Sequence, residues 1–256
     1  MPGRDFLTAD HIAMRLLITR PRDDAAILAE RLAALGHQTL IEPMLTIAPL
    51  PVTFPHSPIT AIVLTSRHAA RMMERHVRGL PLENIPIFCV GAATAEAARK
   101  AGMSNVVEGS SDARALAAMA IASLAPGTDA GIALHVRGHH ARGDIAGELR
   151  RHGIDAREII AYEAIAAQDL SQATRNAITT GALDGALFLS PRTAKIFARL
   201  ALDAGLGPAL KGTTAYCLSD AVATELAGLP MQTTVAPEPR LSALLELLNL
   251  PDTARS

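Results

Sequence analysis

Short, almost wholly apolar runs recur along the chain, each followed by a longer stretch in which apolar residues return at helical spacing. Leu16-Leu17-Ile18, Ala61-Ile62-Val63-Leu64, Ile87-Phe88-Cys89-Val90, Leu134-His135-Val136, Ala186-Leu187-Phe188-Leu189 and Ala215-Tyr216-Cys217-Leu218 lack the alternation of a half-exposed strand. Runs of this length and character predict strands buried on both faces. Strands that alternate with helices in this way predict parallel sheets covered by helices, an α/β class.

The runs fall into three types, each occurring twice and in the same order. Leu16-Leu17-Ile18-Thr19-Arg20, a helical stretch and Gly36 return as Ala133-Leu134-His135-Val136-Arg137, a helical stretch and Gly153, without a gap. The two glycines stand where a helix end needs a left-handed residue before the chain re-enters a sheet. Ala61 to Ser66 followed by Arg67-His68 returns as Gly185 to Ser190 followed by Pro191-Arg192, and Ile87 to Gly91 returns as Ala215 to Ser219. The chain is therefore read as internally duplicated. Parallel doubly wound sheets bind ligands beyond the carboxyl ends of their strands, beside helix N-termini. Here those positions are Thr19-Arg20, Thr65-Ser66, Gly91-Ala92, Arg137-Gly138, Ser190 and Ser219. Hydroxyls there also serve as ordinary helix caps.

Length adds to this picture: 256 residues favour two domains over one. With no Trp and 3% aromatics, the cores are built from Ala, Leu, Ile and Val. Lys and Arg (24) nearly balance Asp and Glu (25), so no global field draws nucleic acid or acidic membrane, and an anion must be recognised locally. Residues 1–13 read as a loose leader with no secretion signal, and the abrupt first strand makes Met14 a candidate start. No run approaches the roughly 20 apolar residues of a membrane span. Cys89 and Cys217, equivalent in the repeat, read as buried thiols in a reduced, cytosolic setting.

Much chemistry is absent. No G-x-G-x-x-G or P-loop follows a strand, no H-E-x-x-H or C-x-x-C occurs, and G-x-S-x-G is missing. His139 and His140 read as surface-loop residues whose rings point apart, giving no metal site. The loop Arg137 to Gly143 offers two guanidinium groups, Arg137 and Arg142, to carboxylates, and is equally what a solvated basic turn looks like. Tyr162 lies in a strand-like stretch; it either packs as a core ring or, protonated at neutrality, serves as a proton donor.

Together, Ile18-Thr19-Arg20-Pro21, Pro43 to Ile47, Leu64-Thr65-Ser66, Val90-Gly91-Ala92-Ala93-Thr94-Ala95, Val136-Arg137-Gly138 with Arg142-Gly143-Asp144, Ala161-Tyr162 and Phe188 to Arg192 resemble the uroporphyrinogen-III synthase family. The resemblance runs from about Met14 to Leu250. It implies two Rossmann- or flavodoxin-like parallel-sheet domains joined by a two-stranded ladder. Carried onto this chain, domain 1 combines residues 14–40 and 168–250, domain 2 spans 50–158, and the ladder is 41–49 with 159–167. The implied reaction is cofactor-free: hydroxymethylbilane closes to uroporphyrinogen III with loss of water and inversion of ring D, in heme biosynthesis. A cytoplasmic monomer that receives its substrate from the upstream deaminase is the implied setting.

The resemblance also implies roles. Tyr162 assists departure of the hydroxyl. Backbone N–H groups at Ser66, Gly91, Ser190 and Ser219 hold carboxylates, Thr65, Ala92, Thr94 and Gly138 share the loops, and Arg20, Arg137 or Arg142 pairs charge. Asp220-Ala221-Val222 stands where some relatives carry Pro-Thr-Thr, which removes the threonine hydroxyls from that loop and places there a carboxylate able to repel the substrate. The rival expectations are a non-catalytic two-lobed binding or sensor protein and a doubly wound transferase; neither has its own signature here.

Overall fold

The computed structural model describes residues 13–249 apart from 78, 81, 111, 125–130 and 141–142. The leader and Arg142 lie outside the described residues. In chain order come β1 (Arg15–Ile18), α1 (Arg22–Ala34), β2 (Gln38–Ile41), β3 (Leu45–Pro49), β4 (Ile59–Leu64), α2 (Arg67–Val77), β5 (Ile87–Val90) and α3 (Gly91–Lys100). Then follow β6 (Val106–Gly109), α4 (Ala113–Ser123), β7 (Ile132–Gly138), α5 (Ile145–Arg151), β8 (Ala156–Ala166) and α6 (Gln172–Thr179). The last are β9 (Gly185–Phe188), α7 (Pro191–Asp203), β10 (Thr214–Cys217), α8 (Asp220–Thr224), β11 (Gln232–Val235) and α9 (Leu241–Glu246). The chain divides into two units, Met1–Thr46 with Ile165–Ser256, and Ile47–Ala164.

The first unit holds a five-stranded sheet in the order β11-β10-β9-β1-β2, every pair parallel. Leu16, Leu17 and Ile18 are fully buried, as the unbroken apolar run requires. Full burial of each such side chain is worth about 1.5–3 kcal/mol. One face is covered by Leu28 and Leu32 of α1 and by Ala243 and Leu244 of α9. On the other, Phe197 of α7 packs on Phe188 with ring centroids 5.1 Å apart.

The second sheet is mixed, in the order β3-β8-β7-β4-β5-β6. β4 to β8 pair in parallel. β3 runs against β8, for Leu50 N–H donates to Ala161 O and Ala167 N–H to Met44 O. Ile62, Leu64, Leu134 and Val136 pack under α2 and α3. Ala61, Val63, Phe88 and Ala133 pack under α4 and α5. The unit boundary falls inside β3 and again inside β8.

Gly36 and Gly153 follow α1 and α5 with φ of +83° and +77°, so the repeat's glycines do occupy the left-handed region. The stretch Ile41 to Pro49, expected as one ladder strand, is interrupted over Glu42 to Met44. Pro43 has no N–H to give a ladder, and the neighbouring N–H groups of Glu42 and Met44 turn back to Ile18 O and Thr19 O. β8 starts earlier than expected because its first residues, from Ala156, pair with β7. No helix among the described residues is long and apolar enough to cross a membrane.

Candidate active site

Strand order singles out two loop pairs. In the second sheet the chain leaves β4 towards β5 and β6 and later returns on the other side as β7 and β8. The loops after β4 and β7 therefore diverge, which is where an open parallel sheet forms its ligand crevice. Thr65-Ser66 and Arg137-Gly138 stand there. In the first unit the same divergence lies between β1 and β9, where Thr19-Arg20 and Ser190 stand.

Tyr162 is set beside the first pair by a register shift. The partners Arg137↔Ile160 are followed by Gly138↔Tyr162, so the tyrosine comes opposite a residue with no side chain. Its ring occupies that space: a Cβ on Gly138 would lie 2.5 Å from Tyr162 Cζ. The phenol oxygen is 2.9 Å from Ser66 Oγ, and Ser66 Oγ accepts Ala69 N–H at 3.0 Å, capping the start of α2. His139 N–H donates to Tyr162 O at 2.9 Å. The His68 ring meets the tyrosine edge-on, with centroids 5.7 Å apart. Burial pushes the phenol's pKa above its usual value, opposed by the Ser66 hydrogen bond, so Tyr162 keeps its proton at neutrality.

Beneath this site runs a polar chain that sequence reasoning missed. His135 is fully buried; its Nε2 lies 3.4 Å from Thr65 Oγ1 and its Nδ1 3.4 Å from Glu158 Oε1. Glu158 in turn accepts Arg137 Nε and Nη2, both at 2.9 Å, and Arg137 Nη1 donates to Gly138 O and His139 O. Four of the five guanidinium N–H groups are thus engaged. Arg137, expected as a partner for ligand carboxylate, already pairs with a carboxylate of the neighbouring strand. Arg20 likewise donates to Asp24, itself buried, at 3.0 Å.

These groups set an acid limit on stability. Burial, the largest influence, holds the His135 imidazole below its ordinary 6.5, with Glu158 pulling the other way. The Arg137 hydrogen bond holds Glu158 below its ordinary 4.5. Both folded values are depressed, so both contributions are present above the unfolded values and are lost as pH falls. We expect the melting temperature to fall below about pH 6.5 as the unfolded chain binds the histidine proton, and again below about pH 4.5. Thermal melts of wild type and His135→Gln check this: the variant should lose the upper limb alone.

The other loop residues divide by how their helix starts are capped. α3 begins at Gly91, φ +65°, behind Val90, and has no side-chain cap bond, so the first N–H groups around Gly91 and exposed Ala92 are left to a ligand or water; Thr94 is buried. Ser190 Oγ accepts Thr193 N–H at 3.2 Å and caps α7. Ser219 precedes the five-residue α8 without a side-chain cap bond, and Asp220 is exposed at its start.

His139 and His140 depart from expectation. They lie in an exposed turn, but their rings meet edge to face, centroids 4.7 Å apart, and the same turn is held by His139 N–H donating to Tyr162 O. With Glu163 they bring three ligand atoms within 4.8 Å of one another, a nitrogen–oxygen set of the kind that suits a borderline divalent cation. Cys89 and Cys217 are buried in different units, and burial pushes both thiols to about 12, leaving them protonated and unreactive.

The model of the family described as uroporphyrinogen-III synthase HemD matches residues 27–246. The chain belongs to this family. Among solved structures it is similar to uroporphyrinogen-III synthetase from Helicobacter pylori 26695, with 19% identity, 91% of this chain and 97% of that chain covered, and a TM-score of 0.61. A mutant uroporphyrinogen III synthase from the extremely thermophilic bacterium Thermus thermophilus matches at 17% identity over 91% of this chain and 96% of that chain, with a TM-score of 0.47. No curated protein matches. At such identity the Helicobacter pylori structure shows a shared α/β fold, and the family match carries the enzyme: a uroporphyrinogen-III synthase of tetrapyrrole biosynthesis. The sensor and transferase readings are not favoured.

Proposed function

We propose that the chain closes hydroxymethylbilane to uroporphyrinogen III with inversion of ring D, and that Tyr162 gives its phenolic proton to the departing hydroxyl. The observation that carries this is the placement of Tyr162: hydroxyl on Ser66 Oγ, ring over Gly138, at the carboxyl ends of β4 and β7. The carbon–oxygen bond of the hydroxymethyl group breaks, the hydroxyl leaves as water with the proton, and the pyrrole nitrogen shares the cationic charge of the azafulvene. The substituted carbon of ring D then attacks, the spiro-pyrrolenine fragments and recloses inverted, and a final proton is lost. Most of the catalysis is orientation, because the cation forms unaided and only the order of attack needs control.

The loops sort by what they offer. Gly91 and Ala92 present backbone N–H groups to acetate and propionate carboxylates. Ser190, Ser219 and Arg20 at the strand ends of the first unit, together with Arg142, complete the anion contacts, and Thr94 shares the Gly91 loop as a buried residue. Hydroxymethylbilane closes spontaneously, which supports direct handover from the deaminase that makes it, in the cytoplasm. The two units are read as copies of one Rossmann-like ancestor, on the support of their strand orders. Replacing β2-β1-β9-β10-β11 by the sequence-equivalent strands yields β8-β7-β4-β5-β6, the order of the second sheet.

The test supplies freshly generated hydroxymethylbilane, oxidises the products and separates the porphyrin isomers. Type III enrichment is expected, and type I alone would sink the assignment. Because the hydroxyl also departs unaided, Tyr162→Phe should lose less than the ~10²-fold of an obligatory general acid. Steady-state kinetics on the folded variant check this, and a complete loss would contradict it.

A further inference from the structure

We propose that His135 fixes the Thr65 hydroxyl as a hydrogen-bond acceptor, so that Thr65 takes a pyrrole N–H of the bilane and not one of its carboxylates. The inference deepens the proposed function and rests on it.

The repeat supplies an internal control. The gapless match of Arg20 with Arg137 and Gly36 with Gly153 equates Ile18 with His135 and Ile41 with Glu158. Strand pairing gives the same equivalence, for Ile18 partners Ile41 in one sheet and His135 partners Glu158 in the other. Across the sheet, Ile18 partners Leu187 where His135 partners Val63, which equates Thr65 with Leu189. The unit that lacks Tyr162 therefore fills all three positions with apolar residues, Ile18, Ile41 and Leu189. The fold does not need Thr65, His135 and Glu158 there. An imidazole taken wholly out of water costs stability unless its nitrogens are served. At these three positions only the unit that holds Tyr162 carries that cost.

Electrostatics favours one direction for the hydrogen bond. The Glu158 carboxylate, 3.4 Å from Nδ1 though not aligned to accept from it, draws the imidazole proton to Nδ1 and leaves the lone pair on Nε2. Nε2 then accepts the Thr65 hydroxyl proton. A hydroxyl has one proton and two lone pairs. With the proton turned inward, half-buried Thr65 presents only lone pairs outward. A carboxylate needs a donor and finds none there. The bilane's other polar groups, its pyrrole N–H groups, are donors and fit. The cation formed when the hydroxyl leaves fits better still, since its charge is shared with a pyrrole nitrogen.

The test compares Thr65→Val, His135→Ile (the residue of the equivalent position), His135→Gln and the Thr65→Val/His135→Ile double variant, by kcat/KM with hydroxymethylbilane, product isomer ratio and thermal melting. Each of the first two is expected to lose about tenfold in kcat/KM, the size of one well-made hydrogen bond. The double variant should lose no more than either alone, because both remove one interaction. His135→Gln, whose amide oxygen can accept the same proton, should recover most of the loss. The Thr65→Val penalty should be equal at low and high salt, as a neutral contact is not screened. Losses that multiply in the double variant, a penalty that shrinks with salt as a carboxylate contact would, silent single variants, or a His135→Ile loss that follows melting alone would each overturn the proposal. Wild type giving only type I product would instead fail the parent reading and take this inference with it.

Discussion

Gly138→Val is expected to cost about 10²- to 10³-fold in kcat/KM while the protein stays folded, a larger loss than Tyr162→Phe. The new Cβ would stand 2.5 Å from Tyr162 Cζ and 2.6 Å from Cε2, well inside contact distance, and the ring is the part able to move. Swinging it away breaks the bond to Ser66 and puts an aromatic side chain into the proposed substrate site. Phenylalanine at 162 leaves the ring seated and removes only the hydroxyl. Orientation is the main catalytic device, so misplacing a group should cost more than deleting its proton. Single-turnover rates for both variants, with near-ultraviolet circular dichroism as the control for folding, decide it. A Gly138→Val enzyme as active as Tyr162→Phe would show that the ring's position is unimportant.

The largest effect on stability is expected at Glu42. This carboxylate is buried, and its Oε2 accepts Ser171 N–H at 3.2 Å together with the hydroxyls of Ser171 and Thr174. Ser171 is also the cap of α6, accepting Thr174 N–H at 3.2 Å. A negative group therefore sits at the positive end of that helix. It also ties the first stretch of the unit to the stretch that returns after Ile165. Glu42→Leu strands three donors and should cost about 3 kcal/mol, or roughly 6–12 °C in melting temperature. Glu42→Gln keeps one acceptor, lets the hydroxyls reorient and should cost about half as much. A Glu42→Leu protein melting within about 2 °C of wild type would refute this role.

The strands legible in the sequence are those buried on both faces. β1, β4, β5, β7, β9 and β10 are the six apolar runs, because central strands must be apolar throughout. β6 and β11 lie at sheet edges with half-exposed residues, so Val106–Gly109 and Gln232–Val235 gave no such signal. Of the proposed site, Tyr162, Ser66 and Gly138 stood out through the family resemblance and the strand-end rule. His135 and Glu158 did not, since a contact across sheet neighbours 23 positions apart depends on pairing that spacing does not reveal. The same limit hid the pairing of Arg137 with Glu158: a sequence displays a charge without its partner. His68 was noted only as part of the repeat, and its contact with Tyr162 needs the start of α2 brought beside β8.

The discontinuity of the first unit bears on the order in which the protein is made. Ile47–Ala164 is one uninterrupted stretch and has every strand it needs as soon as it leaves the ribosome. β1 waits longer, since Thr19 reaches its partner Leu187 only after 168 further residues. At ordinary elongation rates that is roughly ten to thirty seconds. Until then β1 and β2 form a two-stranded ribbon with one side of Leu16-Leu17-Ile18 unpaired, too small to be stable and shaped to stick. The first strand synthesised is thus among the last to be sealed, and that interval is when a nascent-chain chaperone has most to protect.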